Sequence, residues 1–195
     1  MFRVLAIKGW RQWLGLFFLL AGVQQLSGAA LIKAKAWLAP VLIEQAWLQT
    51  LQEGGKPVKP WPWADTWPVA RLRAPAQQVD LLVLAGDSGN ALAFGPGHAT
   101  ASSAPGGRGM AVIGGHRDTH FAFLRDVAPG ARLQLELPDG TLREYQVQAT
   151  RIADASRESL PVNVDEERLL LVTCYPFDAL TANGPLRYVV SAVPF

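Results

Sequence analysis

Hydrophobic and polar positions change rhythm twice along this chain. Residues 13–32 (WLGLFFLLAGVQQLSGAALI) form an apolar run with no charge between Arg11 and Lys33. That run reaches the roughly 20 residues needed to cross a hydrocarbon core, and a transmembrane helix is expected there. Gln24, Gln25 and Ser27 weaken the span, but amides and hydroxyls are accommodated far more cheaply than charges. Trp10 and Trp13 lie at one end and Trp37 beyond the other, as in an aromatic belt. Arg3, Lys8 and Arg11 precede the span, and Lys33 and Lys35 come after it. The slight bias puts the N-terminus in the cytoplasm and the rest of the chain outside it. A cleaved signal peptide is the competing reading, with residues 27–30 (SGAA) supplying small side chains. The apolar run is longer than a leader core, which favours an uncleaved anchor; both readings export the remainder of the chain. Over 33–52, Trp37, Leu38, Val41, Leu42, Leu48 and Leu51 recur at three- and four-residue steps, interrupted at Pro40. This predicts an amphipathic helix on the bilayer or on the domain, or a continuation of the anchor helix.

After Gly54 and Gly55 the rhythm shortens. Residues 56–68 (KPVKPWPWADTWP) carry four prolines, which forbid a continuous helix or a central strand. Trp61, Trp63 and Trp67 are expected to pin this extended segment to the domain or to the headgroup zone. Beyond it, alternation predicts strands at 69–74, 79–84, 110–113, 132–137, 142–152, 169–174 and 186–193. Pro138-Asp139-Gly140 marks a hairpin turn between the fourth and fifth of these. A helical turn is expected near 90–94, a loop over 98–109, and a long connection over 153–168 with room for a short helix. Many short strands with turn punctuation point to a barrel or a sandwich. The expected organisation is a cytoplasmic tip and anchor over 1–35, a juxtamembrane helix and linker over 36–65, and a globular domain over 66–195.

Composition agrees. The 195 residues are half hydrophobic and only 17% charged, too apolar for disorder. A net charge of +2 leaves no nucleic-acid footprint. The single cysteine, Cys174, excludes an internal disulfide, and an exported free thiol asks for a reason.

Cys174 ends the run LLLVTC, where a strand gives way to the loop at Tyr175-Pro176; a rigid strand end positions a reactive group and the loop leaves it reachable. Cysteine nucleophiles need an imidazole to trade protons and a group to hold the oxyanion. Of His98, His116 and His120, only His116 sits directly behind a strand and two glycines. Arg187 opens the last strand, beside Cys174 if the last two strands pair, where a guanidinium could hold an oxyanion. Lone cysteines and histidines are more often structural, so the combination carries the weight.

GHRDT (115–119), LVTC (171–174) and LRYVV (186–190), with GPGH (95–98) and the PGGRG loop before the histidine strand, resemble the sortases, membrane-anchored cysteine transpeptidases. The Pro/Trp-rich 60–72 and the single anchor resemble the Gram-negative (class GN) subclass more specifically. The resemblance covers the chain from about Val69 onward; Met110 departs from it, where many sortases have asparagine. It implies a mainly-β, eight-stranded barrel with short helices behind the transmembrane helix. It implies Cys174 as nucleophile, His116 as general acid/base, Arg187 as oxyanion or substrate-binding residue and Thr173 as a substrate contact, all meeting at one mouth of the barrel. His98 matches a non-catalytic segment; His120 and Asp118 receive no role. The implied partner is a target protein with an LPXTG-like C-terminal signal, the acceptor being an unspecified amine, on the periplasmic side of the inner membrane. No cofactor, metal or nucleic acid is expected; Asp165, Glu166 and Glu167, where some sortases bind calcium, read as a solvated loop. An exported peptidase that only hydrolyses, and a non-catalytic membrane-tethered binding barrel, are the alternatives.

Overall fold

The computed structural model describes residues 3–87, 89–159, 165–179 and 184–195. Its contacts divide the chain into two units, Met1–Val41 and Leu42–Phe195. Helix α1 (Arg3–Gln52) supplies all the described structure of the first unit and enters the second. Among the described residues no helix is long and apolar enough to cross a membrane. The transmembrane helix expected at 13–32 is therefore not found as such: Gln24, Gln25 and Ser27 dilute the apolar run, and the side chains of 28–32 lie outside the described residues. In its place is a helical segment whose Trp13, Phe17, Phe18, Leu20 and Leu26 are all exposed. Pro40 sits inside α1 without ending it, so 33–52 continues the same helix, and its last turns pack on the domain, as one of the sequence readings had it.

In the second unit, the end of α1 buries Ile43, Ala46, Trp47 and Thr50, the three- and four-residue steps of one helix face. Ile43 packs on Leu84 and Ala91. The helix stops where Gly55 N–H bonds the Thr50 carbonyl at 2.9 Å and Gly54 N–H bonds the Leu51 carbonyl at 3.3 Å. That double closure needs a left-handed residue, and Gly54 at φ +67° supplies it without a Cβ penalty. In the Pro/Trp segment Trp61 meets Phe94 edge-on at 5.6 Å, and the Thr66 hydroxyl bonds the Ala85 carbonyl at 2.7 Å. Trp63 stays exposed, whereas Trp61 and the partly buried Trp67, whose carbonyl accepts from Ala85 N–H at 2.8 Å, pin the extended chain to the domain.

Eight strands come next: β1 (Pro68–Ala74), β2 (Val79–Ala85), β3 (Gly97–His98), β4 (Met110–Gly115), β5 (Arg132–Glu136), β6 (Leu142–Asp154), β7 (Arg168–Cys174) and β8 (Leu186–Pro194). They close in the order β1-β2-β3-β4-β7-β8-β6-β5, with β5 returning to β1 through Leu72 opposite Leu135. Closure removes every free edge, which is why alternating strands this short hold together. The pairs β2–β3 and β4–β7 are parallel and the remainder antiparallel. The core gathers Leu72, Val83, Ile113, Leu133, Leu135, Val147, Leu169, Leu171 and Val190. On β7, Leu170 joins a second cluster with Met110, Val112, Ala153 and Val189 on the other face. A strand covered on both sides reads as the continuous LLL of the sequence.

Two differences from the sequence expectation have simple causes. β3 is only two residues long and leaves no periodicity to read. β4 runs through Gly114 and Gly115 because pairing with Val172 and Thr173 holds them extended. A four-residue helix α2 (Gly89–Leu92) stands at the expected helical turn. The short helix considered within 153–168 falls in part on residues 160–164, outside the described residues.

Candidate active site

The β4–β7–β8 register assembles the site. Cys174 lies directly opposite Arg187 in the antiparallel β7–β8 pair. In the parallel β4–β7 pair Gly115 aligns with Thr173, so the next residues along, His116 and Cys174, leave adjacent strand ends side by side. Side chains alternate along each strand. Leu169 and Leu171 face the core, so Leu170, Val172 and Cys174 share the opposite, outer face; on β8, Val190 and Ala192 face the core, which puts Arg187 and Val189 on that outer face too. The thiol is half-buried, His116 exposed and Arg187 partly buried. The thiol is thus partly exposed, and three residues distant in sequence lie at one end of three neighbouring strands.

Local contacts hold that end in place. The Thr173 hydroxyl donates to the Gly115 carbonyl at 2.7 Å, joining the last residues of β7 and β4. Thr173, expected as a substrate contact, is only 2% exposed, and its hydroxyl braces the strand pair. Gly115 lies against the Phe121 ring, where a Cβ would stand 2.7 Å from its nearest carbon. The chain then turns back, Phe121 N–H bonding the His116 carbonyl at 2.9 Å. Arg187 Nη1 donates to the Gly184 and Leu186 carbonyls at 2.6 and 2.9 Å, which orients the guanidinium; among the described residues its Nε and Nη2 hydrogens have no partner.

Beside Arg187 a cleft of about 200 Å³ is lined by Ala153, Ala155, Glu158, Val172 and Val189. It shares Val189 with a depression of about 180 Å³ over Met110, Leu170, Arg151 and Arg168. Together they form a mostly apolar strip along the outer face of β7 that runs up to Arg187, the residue paired with Cys174. Nothing in the sequence singles out Glu158; only the pairing of Asp154 with Leu186 brings its loop to Arg187.

The other histidines divide clearly. His98 Nε2 meets the Ser103 carbonyl at 2.8 Å and the Ser102 hydroxyl at 3.2 Å, a loop brace. His120 is half-buried, and burial, then the neighbouring His116, push its pKa below the usual value against the pull of Asp118. Its Nδ1 has no hydrogen-bond partner among the described residues. In the acidic run, Glu167 accepts from the Tyr145 hydroxyl at 2.6 Å and Glu166 pairs with Arg168 at 3.5 Å. Burial and the Glu167 carboxylate both push the Tyr145 phenol up.

A closed eight-stranded barrel with cysteine, histidine and arginine at the ends of adjacent strands defines a class of thiol-bearing barrel proteins. Residues 72–195 match the sortase domain model, and the chain belongs to the sortase family. It is 33% identical over 120 residues to sortase D of Bacillus subtilis (strain 168), covering 61% of this chain. The chain spans 60% of the length of that relative. Among solved structures it resembles sortase C1 of the group B Streptococcus (GBS) pilus island 1, at TM-score 0.58 and 26% identity over 66% of this chain and 65% of that one. A Clostridium perfringens sortase D5 transpeptidase shares the fold at TM-score 0.64 and 17% identity, over 83% of this chain and 99% of that one.

Proposed function

We propose that this protein is a cysteine transpeptidase that cleaves an LPXTG-like sorting signal and transfers the acyl fragment to an amine. The observation that carries the reading is the register placing Cys174 opposite Arg187 and next in line to His116. The signal lies extended along the apolar strip of β7 and presents its Thr–Gly carbonyl to Cys174. The thiolate attacks that carbonyl, and the free hydrogens of Arg187 receive the charge developing on oxygen. His116 protonates the departing glycine nitrogen, the C–N bond breaks, and a thioester remains on Cys174. The incoming amine, deprotonated by His116, then displaces the thiol and forms a new amide. The apolar strip keeps water from the acyl carbon, which favours aminolysis.

The test is mass spectrometry of the full chain after incubation with a peptide containing LPATG, with and without triglycine. The expected results are an acyl adduct on Cys174 and a new triglycine conjugate, both lost in Cys174→Ala. An unmodified Cys174, or turnover surviving in Cys174→Ala, would end the reading; hydrolysis unaltered by triglycine would reduce it to a peptidase.

The same proposal puts the protein at the inner membrane as a single-pass protein of the Gram-negative subclass, with the barrel on the periplasmic side and an LPXTG-bearing target protein as partner. It is supported by the exposed Trp13, Phe17, Phe18, Leu20 and Leu26 on a helix apolar on every side, a surface that lipid covers far better than water. Flotation with phosphatidylethanolamine/phosphatidylglycerol vesicles should carry the full chain and leave a 36–195 fragment behind; equal flotation of both would refute attachment through this segment.

A further inference from the structure

Among the described residues no side-chain hydrogen bond holds the His116 ring. Its position relative to the thiol therefore depends on the backbone that carries it. That backbone is tied to the cysteine-bearing segment at a polar point: Arg117 Nη2 donates to the Ala179 carbonyl at 2.8 Å, across 62 residues of sequence. A second contact lies nearby, the Arg125 guanidinium standing 5.2 Å from the centre of the Phe177 ring. Phe177 packs edge-on against Tyr175 at 6.2 Å and against Tyr188 at 5.2 Å, the residues directly after Cys174 and Arg187. The turn after β4 thus grips the segment after β7 from two points.

We infer that Arg117 is a positioning residue, clamping the loop behind the nucleophile to the loop that carries the general acid/base. This rests on the roles assigned above to Cys174 and His116. Arg117 is partly buried, and a charge-assisted bond to a backbone carbonyl is stronger and more directional than a neutral one. Arg117 is the next residue in the chain after His116, so any drift of the clamp moves the imidazole as well. A misplacement of about 1 Å between reacting groups lowers rate on the order of 100-fold, whereas the apolar strip that binds the peptide is untouched. Arg117 therefore governs turnover rather than substrate affinity.

The test uses Arg117→Ala and Arg117→Lys in the full chain, with a quenched LPATG peptide and triglycine as probes and thermal unfolding followed alongside. Arg117→Ala should lower kcat about 10- to 100-fold with KM within about twofold. Arg117→Lys should regain much of that loss, because an ammonium can still donate to the Ala179 carbonyl. Wild-type kcat in Arg117→Ala, or a lysine variant no better than alanine with losses that track Tm, would overturn the inference. Amide hydrogen exchange decides the clamp without any substrate: Arg117→Ala should speed exchange at Tyr175 and Ala179 while β5 and β6 stay unchanged. Unchanged exchange at those amides overturns the clamp. A wild type that processes no peptide would instead refute the transpeptidase reading and leave the exchange result standing.

Discussion

Gly115→Ala is the substitution whose consequences the structure sets most tightly. A Cβ there would stand 2.7, 2.8 and 3.1 Å from three carbons of the Phe121 ring. Carbon atoms rest about 3.5–4.0 Å apart, so the ring must retreat by roughly 0.8 Å. Phe121 is 0% exposed and already packed edge-on against Phe123 at 5.9 Å, so its retreat must displace other packed atoms. Overpacking of this kind costs about 1–3 kcal/mol. The displacement also reaches the site, because Phe121 N–H bonds the carbonyl of His116. A shift approaching 1 Å there is expected to lower kcat on the order of 100-fold. Gly114→Ala is the control, since its Cβ would meet nothing nearer than 3.9 Å. Urea unfolding gives the stability change and peptide turnover the catalytic one. Gly115→Ala matching wild type in both, or Gly114→Ala proving equally harmful, would refute the argument.

Three more outcomes are expected from individual contacts. Thr173→Val keeps the shape but removes the bond to the Gly115 carbonyl, and should cost about 1–3 kcal/mol by urea unfolding because a buried acceptor loses its partner. Tyr145→Phe deletes the bond to Glu167 and should cost about 1–2 kcal/mol, with the loss read as a lower denaturation midpoint at an unchanged slope. His120 has a folded-state pKa below its ordinary 6.5, so below that pH the unfolded chain binds more protons and stability drops as pH falls. His120→Gln removes this contribution, and its stability should decline less than that of the wild type between neutral and mildly acidic pH; parallel curves would show that the ring does not titrate differently on folding.

Much of the barrel is legible in the sequence because strands covered on one face leave a period-two signature and β7, covered on both, leaves a short apolar run. The Leu142 strand and its Pro138-Asp139-Gly140 turn are located within two residues of their ends, since alternation and turn chemistry agree there. β3 escapes a sequence reading because Gly97 and His98 belong to no alternating run; the pairing with Leu84 and Gly114 makes them a strand. Cys174, His116 and Arg187 stand out because each lies at a predicted strand end. Thr173 suggests a substrate contact only through its place next to Cys174, but alternation turns adjacent side chains to opposite faces. Arg117 is visible as part of the GHRDT motif, but its clamp is not, since its carbonyl partner is a backbone atom that any residue would supply.

The sequence by itself determined which residues are able to do chemistry: one thiol, an imidazole behind a glycine pair, a guanidinium opening a strand, and an apolar N-terminal stretch. It also determined that these lie on or beside strands, because hydrophobic period is a local property. Tertiary structure alone decided that they meet. The crossover that makes β7 parallel to β4 and antiparallel to β8 is a matter of which edges pair, and no local pattern encodes it. The choice is made by closing the sheet around one core, and that closure brings residues 116, 174 and 187 to a single end.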